Sequence, residues 1–342
     1  MAPLPLPPAL SPAELAFVRA ALAQSPPIRL DVTKGPRHFR AMRAECDVLP
    51  TANGSARIAV DDGTEALVGV KAEVECTPQP ARLGEQTAPA TAETTHPPHA
   101  WLDLSVDVPG FRPDDALPVF LASMLAESLL ADGALPARLA INRRFHWKLC
   151  VDILLLSPPL SYPLALLSMA AHLALRATRL PALVSEQEED PLFNDDWNAA
   201  VPLYPHAAPK PPVIVLAMAV ADNVIFDPAK EELAVADAVL AIACTSSSST
   251  GARIVSMRTI DPPSHLTPPG VPNAMNSATG GTAPASMADA LTQREVSTHA
   301  GVWTPPRGGM KRTLVARVAK MVVESGGVAE EVIGALAAIE VG

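Results

Sequence analysis

Residues 149–180 read LCVDILLLSPPLSYPLALLSMAAHLALRATRL, and the reading of this stretch decides the fold. Cys150 to Leu156 is a short, continuously apolar run of strand length, which predicts a strand covered on both faces. Ala165 to Arg176 is apolar nearly all round, the pattern of a helix enclosed in a core rather than laid on a surface. Fully burying one leucine side chain contributes about 1.5–3 kcal/mol, so a Leu-rich strand followed at once by a Leu-rich helix anchors the chain. The connection between them, Ser157 to Leu164, carries Pro158, Pro159 and Pro163, and any chemistry of the chain turns on it.

Working outward, Trp101 to Val108 alternates polar and apolar residues, which predicts a strand with one wet face. Asp114-Asp115 opens a helix through about Ala131, closed by Gly133. Further upstream, Ala56 to Val60 and Ala66 to Glu75 read as strands joined by the tight turn Asp61-Asp62-Gly63-Thr64. A polar connection through Phe39-Arg40 precedes them. Ser11-Pro12-Ala13-Glu14 is a capping box with proline at the first helical position, and its helix runs to about Gln24 before Pro26-Pro27 stops it. Downstream, an acidic connection over 185–196 leads to a hairpin, Val213 to Val220 and Val224 to Phe226, turning at Ala221 to Asn223. Strands follow near Val239–Cys244 and Ala252–Met257. Thr313 to Ile339 returns to helical spacing, broken at Gly326-Gly327.

This order predicts an α/β (α+β) fold with repeated strand-helix units. The expected organisation is a flexible N-terminus at 1–10, one domain at 11–258 with a flexible insertion at 77–100, a disordered Pro/Gly/Ser/Thr-rich insertion at 259–308, and C-terminal helices at 309–342 packing back on the domain. The chain has 342 residues, 49% of them hydrophobic, enough to bury a sizeable core. Its formal net charge of −10 argues against independent nucleic-acid binding, since phosphate contacts require Lys and Arg. Cys46, Cys76, Cys150 and Cys244 form no C-x-x-C motif, so neither a zinc site nor a disulfide framework is indicated. No basic n-region with an apolar h-region opens the chain, and no clean apolar run is long enough for a membrane span. The expectation is a soluble, intracellular protein with no membrane partner.

Several motifs stand in a telling order: Ile28-Arg29-x-Asp31 with Phe39-Arg40, Asn53 to Ala56, Asp62-Gly63-Thr64, Leu67 to Val74, Asp114 to Leu117, Val151-Asp152-Ile153, and Asp227-Pro228 with Glu231-Glu232. With them the chain resembles ribonuclease-PH-fold proteins over about residues 12–258, plus a C-terminal helix. It departs from their pattern at Val32 to Gly35, where the family has Gly-Arg after the aspartate, so the role of that arginine is not carried over. The likeness extends to the ring subunits of the eukaryotic RNA exosome. It implies a place in a six-membered ring that supports 3′-to-5′ RNA processing and degradation, including ribosomal RNA maturation and messenger RNA turnover. Implied partners are other ring subunits of the same fold, among them a neighbour of the messenger-RNA-transport-regulator type, S1/KH cap subunits, an associated hydrolytic ribonuclease, and RNA threading the channel. Implied localisation is nucleus, nucleolus and cytoplasm.

Active members of this family remove 3′ nucleotides with inorganic phosphate. That chemistry needs an anion cradle, typically a Gly-rich strand-to-helix junction with a Thr-Arg pair and free N–H groups at the helix start. Here Leu156 to Pro163 contains neither Gly nor Arg, and its prolines have no N–H to donate. Ser157 and Ser161 either touch an anion or cap the helix. The family also places two carboxylates six residues apart, to hold Mg²⁺ or move a proton. Registering on Asp227 and Glu231-Glu232 puts those positions at Leu233 and Val239, with Asp237 close but off register. The expectation is a catalytically inactive member with no catalytic, cofactor or metal residues. The alternatives are an active phosphate-dependent 3′-to-5′ exoribonuclease, or a small-molecule enzyme on the same fold, which would need a phosphate loop.

Arg143, Arg144 and Lys148 form the densest basic group of the folded part and are the candidates for the RNA path or a subunit contact, against the plainer reading of a solvated strand end. His96-Pro97-Pro98-His99 lies in the loop and reads as solvated sooner than metal-binding. Glu186 to Asp190 with Asp195-Asp196 reads as an acidic surface. Gly280-Gly281 and Gly308-Gly309 lack the flanks of a phosphate loop. Thr245 to Thr250 is a loop open to phosphorylation.

Overall fold

The computed structural model describes residues 10–77, 98–185, 189–205, 208–247, 251–271, 286 and 301–340. The first half contains α1 (Pro12–Leu22), β1 (Met42–Cys46), β2 (Gly54–Val60), β3 (Glu65–Cys76), β4 (Leu102–Asp107), α2 (Ala116–Leu130), α3 (Ala134–Leu139), β5 (Phe145–Leu155) and α4 (Leu164–Ala177). The second contains β6 (Arg179–Leu180), β7 (Val201–Pro202), β8 (Val213–Val220), β9 (Asn223–Phe226), α5 (Lys230–Leu233), β10 (Ala238–Ser247), β11 (Gly251–Ile260), α6 (Arg312–Val323) and α7 (Val328–Ala337). The two larger sheets have the orders β1-β2-β3-β5-β4 and β11-β10-β8-β9, and β6 pairs with β7 in a small third one. Among the described residues only β4 and β5 pair in parallel, in the register Leu102–Leu149 to Asp107–Leu154, across the connection that carries α2 and α3.

Helix α4 lies between the two sheets, against β2 and β3 on one side and β8 on the other. Every residue of it except Arg176 is buried, as its uniformly apolar sequence requires. Ser168 Oγ accepts the Ile214 N–H at 2.8 Å and locks the helix to β8. His172 Nδ1 lies 2.7 Å from the Pro211 carbonyl, which can only accept, so the ring carries its proton on Nδ1. Burial pushes the His172 pKa down to about 3, so the imidazole sits in the core uncharged.

Strand β5 departs from the expectation that both its faces are covered. Val151, Ile153 and Leu155 are buried, while Asp152 and Leu154 are exposed, as is Leu156 just beyond the strand. The helical layer covers one face of this sheet, and Asp152 on the other accepts a hydrogen bond from Ser105 Oγ of β4 at 2.6 Å. The strand buried along its whole length is β8.

The capping box of α1 is formed, with Glu14 Oε2 accepting from the Ser11 N–H at 2.7 Å. Gly63 takes φ 86° in its turn, as expected, and Ala221 takes φ 54° between β8 and β9. The polar connection after Phe39 contains β1, paired antiparallel to β2 from Met42–Val60 to Cys46–Ala56. A largely exposed edge strand carries little apolar signal. The stretch 259–308, expected to lack order, is packed at both ends. Trp303 is buried and its Nε1 donates to Thr267 Oγ1 at 2.9 Å, while the Gly270 N–H donates to the Trp303 carbonyl at 2.8 Å. Its middle, 272–285 and 287–300, lies outside the described residues, as does most of the 77–100 insertion.

Candidate functional site

The candidate site is the connection from β5 to α4. Ser157 Oγ accepts the Glu65 N–H at 3.1 Å, which ties the start of the connection back to β3. Ser161 is buried and accepts a hydrogen bond from Arg40 Nη1 at 2.7 Å. Pro163 stands at the cap of α4 and provides no side-chain cap bond. Both serines of the connection thus accept a hydrogen bond from the chain itself.

Arg40 is the organising residue. Its Nη1 also donates to Asp62 Oδ2 at 2.6 Å, and Nη2 and Nε form a fork on Asp227, at 2.6 Å to Oδ1 and 3.0 Å to Oδ2. The Arg40 backbone N–H adds a further bond to Asp227 Oδ2 at 2.8 Å. Burial works against the charge on Arg40, but Asp227 and Asp62 outweigh it and hold the guanidinium charged above its ordinary pKa. Burial likewise raises the Asp62 carboxyl, yet the bonds from Thr64 and the charge of Arg40 prevail and keep it below its usual value. One guanidinium faces two carboxylates, so the mouth of the junction carries a formal charge of about −1.

A second pair backs the first. Arg29 and Glu232 are both buried and meet through bonds of 3.0 and 2.7 Å. Arg29 also donates to the carbonyls of Phe226 and Asp227, which fixes Asp227 at φ 46°, a left-handed conformation that aspartate tolerates. Asp237 is not a loose turn residue. Its carboxylate pairs with Arg19 at 2.7 Å and accepts the Ala221 N–H at 2.7 Å. Asp227, Glu232 and Asp237 are thus each held by an arginine of the same chain. Leu233 and Val239, where registration on Asp227 and Glu231-Glu232 leads one to expect a carboxylate pair, are buried hydrocarbon side chains and do not fit a divalent cation. Among the described residues no group of three His, Cys, Asp or Glu is placed to hold a metal, and no helix is long and apolar enough to cross a membrane.

Two of the three basic candidates are paired with carboxylates of the same chain. Arg144 Nη2 donates to Asp190 at 2.6 Å, with its guanidinium over the Phe145 ring. Lys148 Nζ donates to Glu75 on β3 at 2.9 Å. Arg143 precedes β5 in the same loop as Arg144. Asp190, read as plain acidic surface, is therefore an ion-pair partner, and Asp196 caps the short turn at Trp197–Ala199. Residues 186–188, His96, Gly280, Gly281 and 248–250 lie outside the described residues, and His99 falls in the short turn Pro98–Trp101. Gly308 and Gly309 take φ 77° and 91° ahead of α6, and the described residues 301–307 just before them form no strand. Thr245 is buried in β10 and donates to the Lys210 carbonyl at 2.7 Å. Sequence reasoning missed the role of Arg40, because its acids lie 22 and 187 residues away and no local pattern links them.

Residues 38–181 match the 3′ exoribonuclease family, domain 1 (RNase PH). The chain is 32% identical over 235 residues to the exosome complex component RRP42 of Saccharomyces cerevisiae, covering 67% of this chain and 78% of that protein. It is 29% identical over 254 residues to the exosome complex component rrp42 of Schizosaccharomyces pombe, covering 70% and 79%. Among solved structures, an Archaeoglobus fulgidus exosome with RNA bound to the active site contains a chain that superposes with a TM-score of 0.50 at 23% identity, covering 72% of this chain and 87% of that one. At that identity the likeness is one of fold.

Proposed function

Because this chain belongs to the 3′ exoribonuclease (RNase PH) family, with relatives of the RRP42 type, we propose that it is a structural subunit of the exosome ring that cuts no RNA itself. The observation that carries the second half is the closed state of Arg40. A phosphorolytic site needs unspent positive charge and free donors where phosphate enters. Here the guanidinium at the junction is held by Asp62, Asp227 and Ser161, and Leu233 and Val239 stand where the resemblance expects the acid pair. An incoming phosphate would have to displace a carboxylate from its arginine.

The surface agrees with a role in assembly. Phe17 and Val32 are 71% and 81% exposed, Leu156, Leu160 and Val119 are also exposed, and β1 and β4 leave sheet edges open. Such surface is what neighbouring ring subunits of the same fold would cover. We assign the neighbour to the messenger-RNA-transport-regulator type, with S1/KH caps above, a hydrolytic ribonuclease below, and RNA in the channel. The setting is the nucleus, nucleolus and cytoplasm, in ribosomal RNA maturation and messenger RNA turnover. Purification of the tagged chain from cells, with mass spectrometry of what accompanies it, tests this reading. Stoichiometric recovery of other ring subunits is expected. Recovery of the chain as a lone monomer would count against it.

A further inference from the structure

We infer that the cleft at the C-terminal end of α4 is a binding pocket for a small phosphate-bearing ligand of nucleotide size. The cavity measures about 600 Å³, within the range of small-molecule sites. Arg176 from the last turn of α4, Arg179 from β6, and Lys210 just before β8 line it together. Among the described residues of the lining, Glu340 is the acidic side chain. This end of α4 is about 20 Å from the junction, at 1.5 Å per residue, so the cleft is separate from the closed site.

The cationic cluster is built. Arg176 Nη1 donates to the Leu336 carbonyl of α7 at 2.6 Å, which fixes the guanidinium in place. A cation in the last turn complements the helix dipole, but that does not account for Lys210, which comes from another segment. Partial burial and the charge of Arg176 both push the Lys210 pKa down, the mark of two cations close enough to repel each other. A phosphate group would relieve that repulsion and take charge-assisted hydrogen bonds from both. The wall beside them carries Pro202 and Tyr204, whose ring is braced by the Arg138 guanidinium 4.7 Å from its centroid. An apolar, aromatic wall next to a cationic floor suits a ligand with a flat ring and one anionic end.

The test is calorimetric titration of the full-length chain with adenosine monophosphate, inorganic phosphate and adenosine. Saturable one-to-one binding of the monophosphate is expected, with competition by inorganic phosphate and no binding of adenosine. Lys210→Met keeps the side-chain stem and should weaken monophosphate binding about tenfold or more, without changing the thermal unfolding curve. The inference is overturned if neither phosphate probe binds at about 10 mM, if adenosine binds as well as the monophosphate, or if Lys210→Met leaves the affinity unchanged. None of these outcomes bears on the ring assignment, which stands on the relatives and on the junction.

Discussion

Replacing Arg40 by methionine removes the cation that closes the junction while keeping much of its length. Asp227, with its side chain 10% exposed, would keep only the backbone N–H of residue 40, and Asp62, at 24%, the N–H of Thr64. Removing one partner of a buried ion pair costs about 3–5 kcal/mol. Arg40 is itself 18% exposed, so solvent screens part of the loss and the lower end, about 3 kcal/mol, is expected. For a domain of this size that lowers the melting temperature by about 6–12 °C. The pH dependence is the diagnostic part. In the native chain the depressed Asp62 pKa contributes stability above the unfolded value, and that contribution is lost as pH falls through the folded one. Without Arg40, the carboxyl keeps only its bonds from Thr64 against the opposing effect of burial. The variant's deficit should therefore be largest at neutral pH and shrink below about pH 4, as Asp62 protonates and its bond to residue 40 no longer counts in either chain. Urea unfolding of both chains at pH 7 and pH 4 measures this, and Asp227→Asn added to the variant should recover part of the deficit. A deficit under about 1 kcal/mol at pH 7, or one indifferent to pH, would refute the reasoning.

Three other outcomes follow from the packing. His172 has its pKa depressed to about 3 in the fold, so the unfolded chain binds the extra proton first, and stability should fall as pH drops from about 6.5 toward 3. His172→Leu should flatten that slope by up to about 1.4 kcal/mol per pH unit; an unchanged slope in acid denaturation would show that the ring is not buried neutral. Gly54→Ala would bring a methyl group to 2.5 Å from the Thr178 backbone at the end of α4, and equilibrium unfolding should show a loss of about 1–3 kcal/mol. Trp303→Ala should cost about 3–5 kcal/mol and expose the segment around Thr267 to protease; tolerance of the change would mean that this segment is not packed on the domain.

The elements with strong periodicity were legible in sequence. Helix α4 reads as enclosed because no polar stripe interrupts it, and it is enclosed. The β8–β9 hairpin announced itself by two apolar runs around a short polar turn. Strand β5 misled, because Leu154 and Leu156 are apolar yet face outward, and an apolar run cannot distinguish a core contact from surface that awaits another subunit. Trp303 was lost in a Pro- and Gly-rich setting, since one anchoring aromatic does not alter a composition. At the candidate site the sequence showed a junction without glycine, and Leu233 and Val239 where the resemblance expects an acid pair. It could not reveal what fills the place. Arg40, Asp62, Ser161 and Asp227 come from distant parts of the chain and meet only once both sheets have closed on α4.

The central claim is that this junction carries out no phosphate-dependent cleavage. The most direct measurement supplies the full-length chain with labelled RNA, inorganic phosphate and Mg²⁺, and quantifies nucleoside diphosphates released from the 3′ end. No release above the protein-free control is predicted. Phosphate-dependent release that Ser161→Ala abolishes would contradict it.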